Sequence, residues 1–290
     1  MSASTESGEP AALAAGSLRL REPLATWITP LPGPWSPLDR RPQQAPADAG
    51  GGVRRFRFEY SSRGDRVPGL LLLPAEPAGP YPLVLLQHGA GGSKDSAYLD
   101  AARLPWVRRG MAVASIDFPL HGERASAKLG ELLLLGLATP GTEDVRARDL
   151  LGEFVRQSIH DLGRALDALA PHPEIDAERL AYAAFSLGAI LGALYCPLDA
   201  RLRAAALALG GGGFGPPAFD PARHIARFAG RPLLLLNATR DERIPRAAAE
   251  AFHAAAAEPK QLLWFDSGHG DLPGRALKAM WQFLGSALTP

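Results

Sequence analysis

Cysteine occurs once in the chain, at Cys196, so no intramolecular disulfide can form and nothing marks an oxidising compartment. Neither sign of charge is in excess. The 31 Lys and Arg against 30 Asp and Glu leave a formal net charge of +1, which argues against the one-sided basic footprint that nucleic acid requires. The densest basic stretch, Arg54, Arg55, Arg57, Arg63 and Arg66, alternates with apolar residues and reads as the solvated face of a strand and turn. Long apolar runs are missing as well. The longest, residues 132–138, is far short of the roughly 20 residues of a membrane span, so it is expected in a lid or in the core. The opening MSASTESGEP is acidic and polar where a secretory signal would be basic and then apolar, and a cytoplasmic enzyme is the expectation. Neither H-E-x-x-H nor a Cys/His ligand spacing is present, and the glycine-rich loop that follows PLVLLQ has neither the G-x-x-x-x-G-K-[ST] nor the G-x-G-x-x-G spacing. No metal, nucleotide or other cofactor is therefore expected.

What is present is enough apolar material, 47% of 290 residues, for one enzyme-sized domain with a full core. Residues 1–50 are rich in Pro, Ala and Gly and carry no helical or strand period, so they read as an extended or mobile N-terminal segment ahead of a domain at 51–290. Trp27 and Trp35 are candidates to dock that segment on the body. From Val53 onward VRRFRFEYSS, SRGD and VPGLLLLP predict an antiparallel hairpin. Then PLVLLQHG, MAVASIDF, RLAYAAFS, AAALALGG, PLLLLNAT and QLLWFDSG read as strands buried on both faces, separated by helical patterns. That rhythm predicts an α/β fold with a doubly wound sheet whose ligands bind at the carboxyl ends of the strands.

One of those strands runs through Ala184 and Phe185 into Ser186, Leu187 and Gly188, a small-x-Ser-x-Gly reversal with alanine where the usual pattern has glycine. Such a turn holds its serine out above the sheet at the positive end of the following helix. A helix-capping serine is the alternative. A serine hydroxyl needs a base, and the base needs a carboxylate to orient it. PLLLLNATRDERIP presents Asp241 and QLLWFDSGHGDLP presents His269 after the next two buried strands, in the chain order Ser, Asp, His. An ion pair of Asp241 with Arg240 or Arg243 is the competing reading, and Glu242 the substitute acid. Asp266 and Asp271 flank His269 but are expected to be solvated, and Gly268 and Gly270 are expected to leave the histidine on an exposed loop.

The stretch His88, Gly89, Ala90, Gly91, Gly92 and Ser93 offers backbone N–H groups for an oxyanion hole, formed by Ala90 together with Leu187. His88 is read as bonding backbone beside this loop, and His160 as a helix residue with no catalytic part. Asp117, Pro119, His121 and Gly122 resemble a D-x-x-G-H-G wall of the same kind of site.

Taken together these motifs resemble the α/β-hydrolase superfamily. VPGLLLLPAEPAGPYPLVLLQHGAGGSKD and PLLLLNATRDERIP are similar to its dienelactone-hydrolase, acyl-esterase and prolyl-oligopeptidase-like branch. Dienelactone hydrolases carry cysteine where this chain has Ser186, and Cys196 lies beyond the turn. The resemblance implies the α/β-hydrolase fold: about eight strands, mostly parallel, with helices on both faces. It also implies a cofactor-free serine mechanism with an acyl-enzyme, Ser186, Asp241 and His269 as triad, and Ala90 and Leu187 as oxyanion donors. Residues of about 123–156 are expected either to form a small helical cap over the site or to pack in the core. The expected partner is a small-molecule ester, with no nucleic acid and no membrane span. Homo-oligomerisation, the substrate-binding residues and the choice among ester, thioester and peptide stay open. A catalytically silent binding protein, and a lyase or cofactor-free oxygen enzyme on the same triad, are the rival readings.

Overall fold

The computed structural model describes residues 26–31, 52–138, 143–213 and 216–289. Its strands, in chain order, are β1 (Thr26–Leu31), β2 (Val53–Ser62), β3 (Asp65–Pro74), β4 (Tyr81–Gln87), β5 (Ala112–Ile116), β6 (Ile175–Phe185), β7 (Leu202–Ala208), β8 (Leu233–Ala238) and β9 (Lys260–Phe265). The helices are α1 (Ala97–Val107), α2 (Ala127–Ala138), α3 (Val145–Leu169), α4 (Leu187–Tyr195), α5 (Pro221–His224), α6 (Arg246–Ala255) and α7 (Gly274–Leu288). All the strands join one sheet in the order β1-β2-β3-β5-β4-β6-β7-β8-β9. The pairs from β5-β4 through β8-β9 are parallel, and the hairpin side, β1-β2, β2-β3 and β3-β5, is antiparallel.

The lack of alternation in the central strands has its cause in two cores, one on each face of the sheet. Leu83, Leu85, Leu180, Tyr182 and Leu207 face one core with Leu162, Leu166 and Leu169 of α3 and Leu191 and Leu194 of α4. Val84, Leu86, Ala181, Ala183 and Ala206 face the other with Leu99 and Trp106 of α1. Ala276, Met280, Leu284 and Leu288 of α7 complete that second core, four residues apart on one stripe of the helix. Helix α3 begins where the Asp144 carboxylate accepts the N–H groups of Arg146 and Ala147 at 2.9 and 3.2 Å, satisfying two donors that a helix start leaves open.

Two expectations change. The eight strands β2–β9 match the expected sheet, and β1 adds another at its edge, from a segment with no strand period. The backbone pairing Thr26↔Tyr60 through Leu31↔Arg55 makes that strand, and backbone pairing needs no side-chain alternation. The basic stretch is not simply solvated either. Arg54 pairs with Glu174, Arg57 with Glu59 and Glu123, Arg63 with Glu153 and Arg66 with Glu59, while Arg55 is buried against Asp100. Trp35 lies outside the described residues. Among the described residues no helix is long and apolar enough to cross a membrane.

Candidate active site

Strand β6 lies between β4 and β7, and its carboxyl end is where the chain must reverse into α4. Ser186 makes the reversal with φ +52° and ψ −117°, a region that side-chain-bearing residues avoid and that persists only where the surroundings enforce it. Here its N–H donates to the Ala208 carbonyl of β7 at 2.8 Å, and its own carbonyl accepts from Ala189 and Ile190 at 2.8 and 3.0 Å. A β-carbon at Gly188 would stand 3.1 Å from the Ala184 methyl, so the one alanine is tolerated because its neighbour across the turn is glycine.

Strands β8 and β9 carry the other two groups. Their pairing continues past the strand ends, with Thr239 N–H donating to Phe265 O at 2.8 Å and Arg240 N–H to Ser267 O at 3.0 Å. The next residues outward, Asp241 and His269, are thereby brought side by side. His269 Nδ1 lies 2.9 and 2.8 Å from the two Asp241 carboxylate oxygens, and Nε2 lies 2.9 Å from Ser186 Oγ. A carboxylate can only accept, so Nδ1 carries the proton and Nε2 is left to accept from the serine hydroxyl. Asp241 Oδ1 also accepts the N–H groups of Arg243 and Ile244 at 2.8 and 2.9 Å, which fixes the carboxylate on a side chain only 1% exposed.

The structure thus brings Ser186, His269 and Asp241 together and sets the alternatives apart. Arg240 pairs with Asp266, and Asp271 accepts from Gly268 N–H. One expectation is corrected: His269 is only 8% exposed, because both ring nitrogens are engaged and the ring is tucked between the two loops instead of standing in water.

Gly89 passes close beside Ser186, and Gly92 N–H returns to Gly89 O at 3.1 Å, closing a turn through Ala90 and Gly91, whose φ is +73°. Among the described residues nothing accepts the N–H of Ala90 or of Leu187, the first residue of α4. His88 is fully buried. Its Nδ1 donates to Gly89 O at 2.8 Å and its Nε2 accepts from Phe118 N–H at 3.3 Å. Burial lowers the pKa of the ring to about 4, so the neutral form that makes both bonds prevails. His121 donates from Nδ1 to Pro119 O at 2.8 Å and packs 5.2 Å from His88, which makes it part of the wall. His160 lies within α3, away from these loops in sequence and on a different element.

Sequence reasoning placed Asp117 in this wall and missed Lys94, which holds it. Asp117, at the carboxyl end of β5 and wholly buried, accepts the N–H groups of Lys94 and Glu123 at 2.7 and 2.9 Å and the Lys94 ammonium at 3.2 Å. Lys94 also reaches Asp95 and Glu123 at 2.7 and 2.6 Å. Burial alone would lower the lysine pKa, but Asp117 and Asp95 outweigh it and raise it, so the charge is kept. A β-carbon at Gly122 would overlap the Asp117 carboxylate, and Leu120 takes φ +60° where the D-x-x-G-H-G pattern has glycine. Tyr98 of α1, whose phenol oxygen accepts Gly89 N–H at 2.8 Å, also carried no sequence signal. Cys196 is buried beyond α4 and burial pushes its thiol pKa well up, so it has no part in the site.

Among the described residues no group of three or more His, Cys, Asp and Glu side chains is placed to hold a metal ion. The arrangement can take a proton from a serine hydroxyl, hold the resulting imidazolium beside a carboxylate, and offer two N–H groups to a developing oxyanion.

The family model for acetyl xylan esterase (AXE1) matches residues 39–209. No curated protein gave a match. Among solved structures the chain is similar to an acetyl xylan esterase from Paenibacillus sp. R4, at TM-score 0.70 and 21% identity over 94% of this chain and 92% of that one. It is also similar to a cold-adapted esterase from an Arctic intertidal metagenomic library, at TM-score 0.66 and 22% identity over 82% and 95%. A glucuronoyl esterase from Solibacter usitatus aligns at TM-score 0.66 and 15% identity over 93% and 87%. At such identities the likeness to these structures is one of fold.

Proposed function

The chain belongs to the acetyl xylan esterase (AXE1) family of α/β-hydrolase esterases, and on that premise we propose that it hydrolyses small carboxylic esters through an acyl-enzyme on Ser186. His269 is the general base and Asp241 the carboxylate that holds it, while the N–H groups of Ala90 and Leu187 form the oxyanion hole. The observation that carries this reading is the unbroken chain of hydrogen bonds from Asp241 through His269 to Ser186 Oγ.

In the reaction Ser186 Oγ attacks the ester carbonyl as His269 Nε2 takes its proton. The carbonyl oxygen becomes an alkoxide and turns toward Ala90 and Leu187. Collapse expels the alcohol, which His269 protonates, and leaves the acyl group on Ser186. Water then gives up a proton to His269, attacks the acyl carbon and releases the acid, restoring the serine hydroxyl. Asp241 stabilises the imidazolium in both halves.

The family points to acetyl esters of a carbohydrate as the substrate class. Helix α2 with the first turns of α3 is read as a cap beside the 117–124 wall. A β-carbon at Gly136 of α2 would stand 2.9 Å from the Ala147 carbonyl of α3, so the two helices are tightly joined. Leu133 is buried, while Leu134 and Leu135 of the same run stay 55% and 43% exposed.

The test is turnover of acetylated sugars and of p-nitrophenyl acetate by the native chain and by Ser186→Ala. Release of acetate that falls by about 10⁶-fold in the variant supports the reading, as loss of a triad serine can cost that much. An equally active variant removes Ser186 from the mechanism.

A further inference from the structure

Gly89, where β4 passes into the oxyanion loop, comes very close to the nucleophile. A β-carbon there would stand 3.1 Å from Ser186 Cβ and 3.7 Å from its Oγ. The approach calls for glycine, and glycine is the residue whose φ and ψ its own side chain restrains least. Those two angles set the direction of the next N–H, that of Ala90. The site therefore places its oxyanion donor directly after a joint with no side chain to stiffen it.

Hydrogen bonds hold the joint on both sides. The Gly89 carbonyl shares one planar peptide with the Ala90 N–H, and the two point in opposite directions. His88 Nδ1–H and Gly92 N–H fix that carbonyl at 2.8 and 3.1 Å, which leaves the Ala90 N–H facing away from them. The preceding peptide is held through the Gly89 N–H, which donates to the Tyr98 phenol oxygen at 2.8 Å. Tyr98 is well placed to act as an anchor. Its backbone lies in α1, and its ring packs edge-on against Phe185, the residue before Ser186, with centroids 5.7 Å apart and planes at 86°.

We propose that Tyr98 is a positioning residue for the oxyanion donor: its phenol oxygen, by accepting the Gly89 N–H while its ring rests on Phe185, sets the Ala90 N–H relative to Ser186. Tyr98 transfers no proton and takes no covalent part. It acts by keeping the donor aimed at an alkoxide that exists only in the transition state, so its effect belongs in kcat and not in substrate binding. The inference rests on the reading of Ser186 and Ala90 given above.

Tyr98→Phe removes one oxygen and keeps the ring, and the residue is 42% exposed, so the fold is expected to survive, with an unchanged circular-dichroism melt as the check. Kinetics on p-nitrophenyl acetate are compared for the native chain, Tyr98→Phe and Ser186→Ala, together with inhibition by phenylboronic acid, which forms a tetrahedral adduct on a serine hydroxyl. The expected result for Tyr98→Phe is a kcat lower by about 10-fold to 100-fold, a KM within about twofold of native, and boronate affinity weakened alongside kcat. A kcat within twofold of native overturns the proposal, and so does a raised KM with unchanged kcat, which would make Tyr98 a substrate contact. Full activity in Ser186→Ala defeats the underlying reading instead, whatever Tyr98→Phe does.

Discussion

Gly188 lies directly under the carbonyl of His88: a β-carbon on residue 188 would stand 2.7 Å from that oxygen, closer than real β-carbons come to any atom. The first turn of α4 and the strand end that carries the glycine-rich loop at 88–93 are in contact through this one missing methyl group. Gly188→Ala must push them apart. The expected cost is about 1–3 kcal/mol of stability from overpacking, with a fall in kcat, read from urea unfolding and p-nitrophenyl acetate hydrolysis. A variant with native stability and native kcat would show that the contact is not tight.

Asp241→Asn keeps the shape beside His269 and changes what it offers. An amide NH2 facing Nδ1 favours the tautomer with its proton on Nε2, which can no longer accept from Ser186 Oγ. A kcat lower by about 10⁴-fold at neutral pH is expected. A loss below tenfold would mean that another acid, Glu242 first, takes its place.

Lys94→Met leaves the wholly buried Asp117 without its cation while both N–H donors to it remain. Stripping one partner from a buried pair costs about 3–5 kcal/mol, so a drop of that size in unfolding free energy is predicted. An unchanged unfolding free energy would mean that the ion pair is not what Lys94 supplies.

His88 sets an acid limit. Its folded pKa of about 4 lies below the ordinary 6.5, so between those values the unfolded chain binds a proton that the folded chain does not. Stability from this residue is complete above pH 6.5 and is lost as pH falls toward 4, on the order of 3 kcal/mol across the window. His88→Asn can keep a donor to Gly89 O and has no ring to titrate. Its urea midpoint should decline less between pH 7 and pH 5 than that of the native protein, and an identical decline would assign the acid limit to other groups.

The strands and the meeting of Ser186, Asp241 and His269 were readable because both follow from local pattern. A strand buried on both faces has to be apolar throughout, as LVLL and LLLL are. The reversal at Ser186 has to be flanked by small residues. The order Ser, Asp, His is set by which strands follow β6 across the sheet. What stayed hidden depends on contacts between distant segments. Tyr98 looks like any helix residue until Gly89 is beside it. Arg55 looks solvated until Asp100 closes over it, and the glycines around His269 suggest exposure where the packing of two loops gives burial. Leu120 reads as a plain departure from a glycine pattern, yet it adopts the glycine-like angle.

An open sheet has two rims, and here one of them is occupied by β1, paired along Thr26–Leu31 with the long strand β2. β2 holds ten residues, and without β1 its outward row of N–H and C=O groups would have only water as partner. Such a row is a template on which strands from other molecules can add. β1 replaces that row with a rim of six residues, one of them Pro30 with no N–H to offer, and so acts as a selvedge, the woven border that stops a fabric from catching on its neighbour. A truncation placed after Leu31 would leave Ser186, His269 and Asp241 in their own loops, and its cost would be paid in solubility before it was seen in turnover.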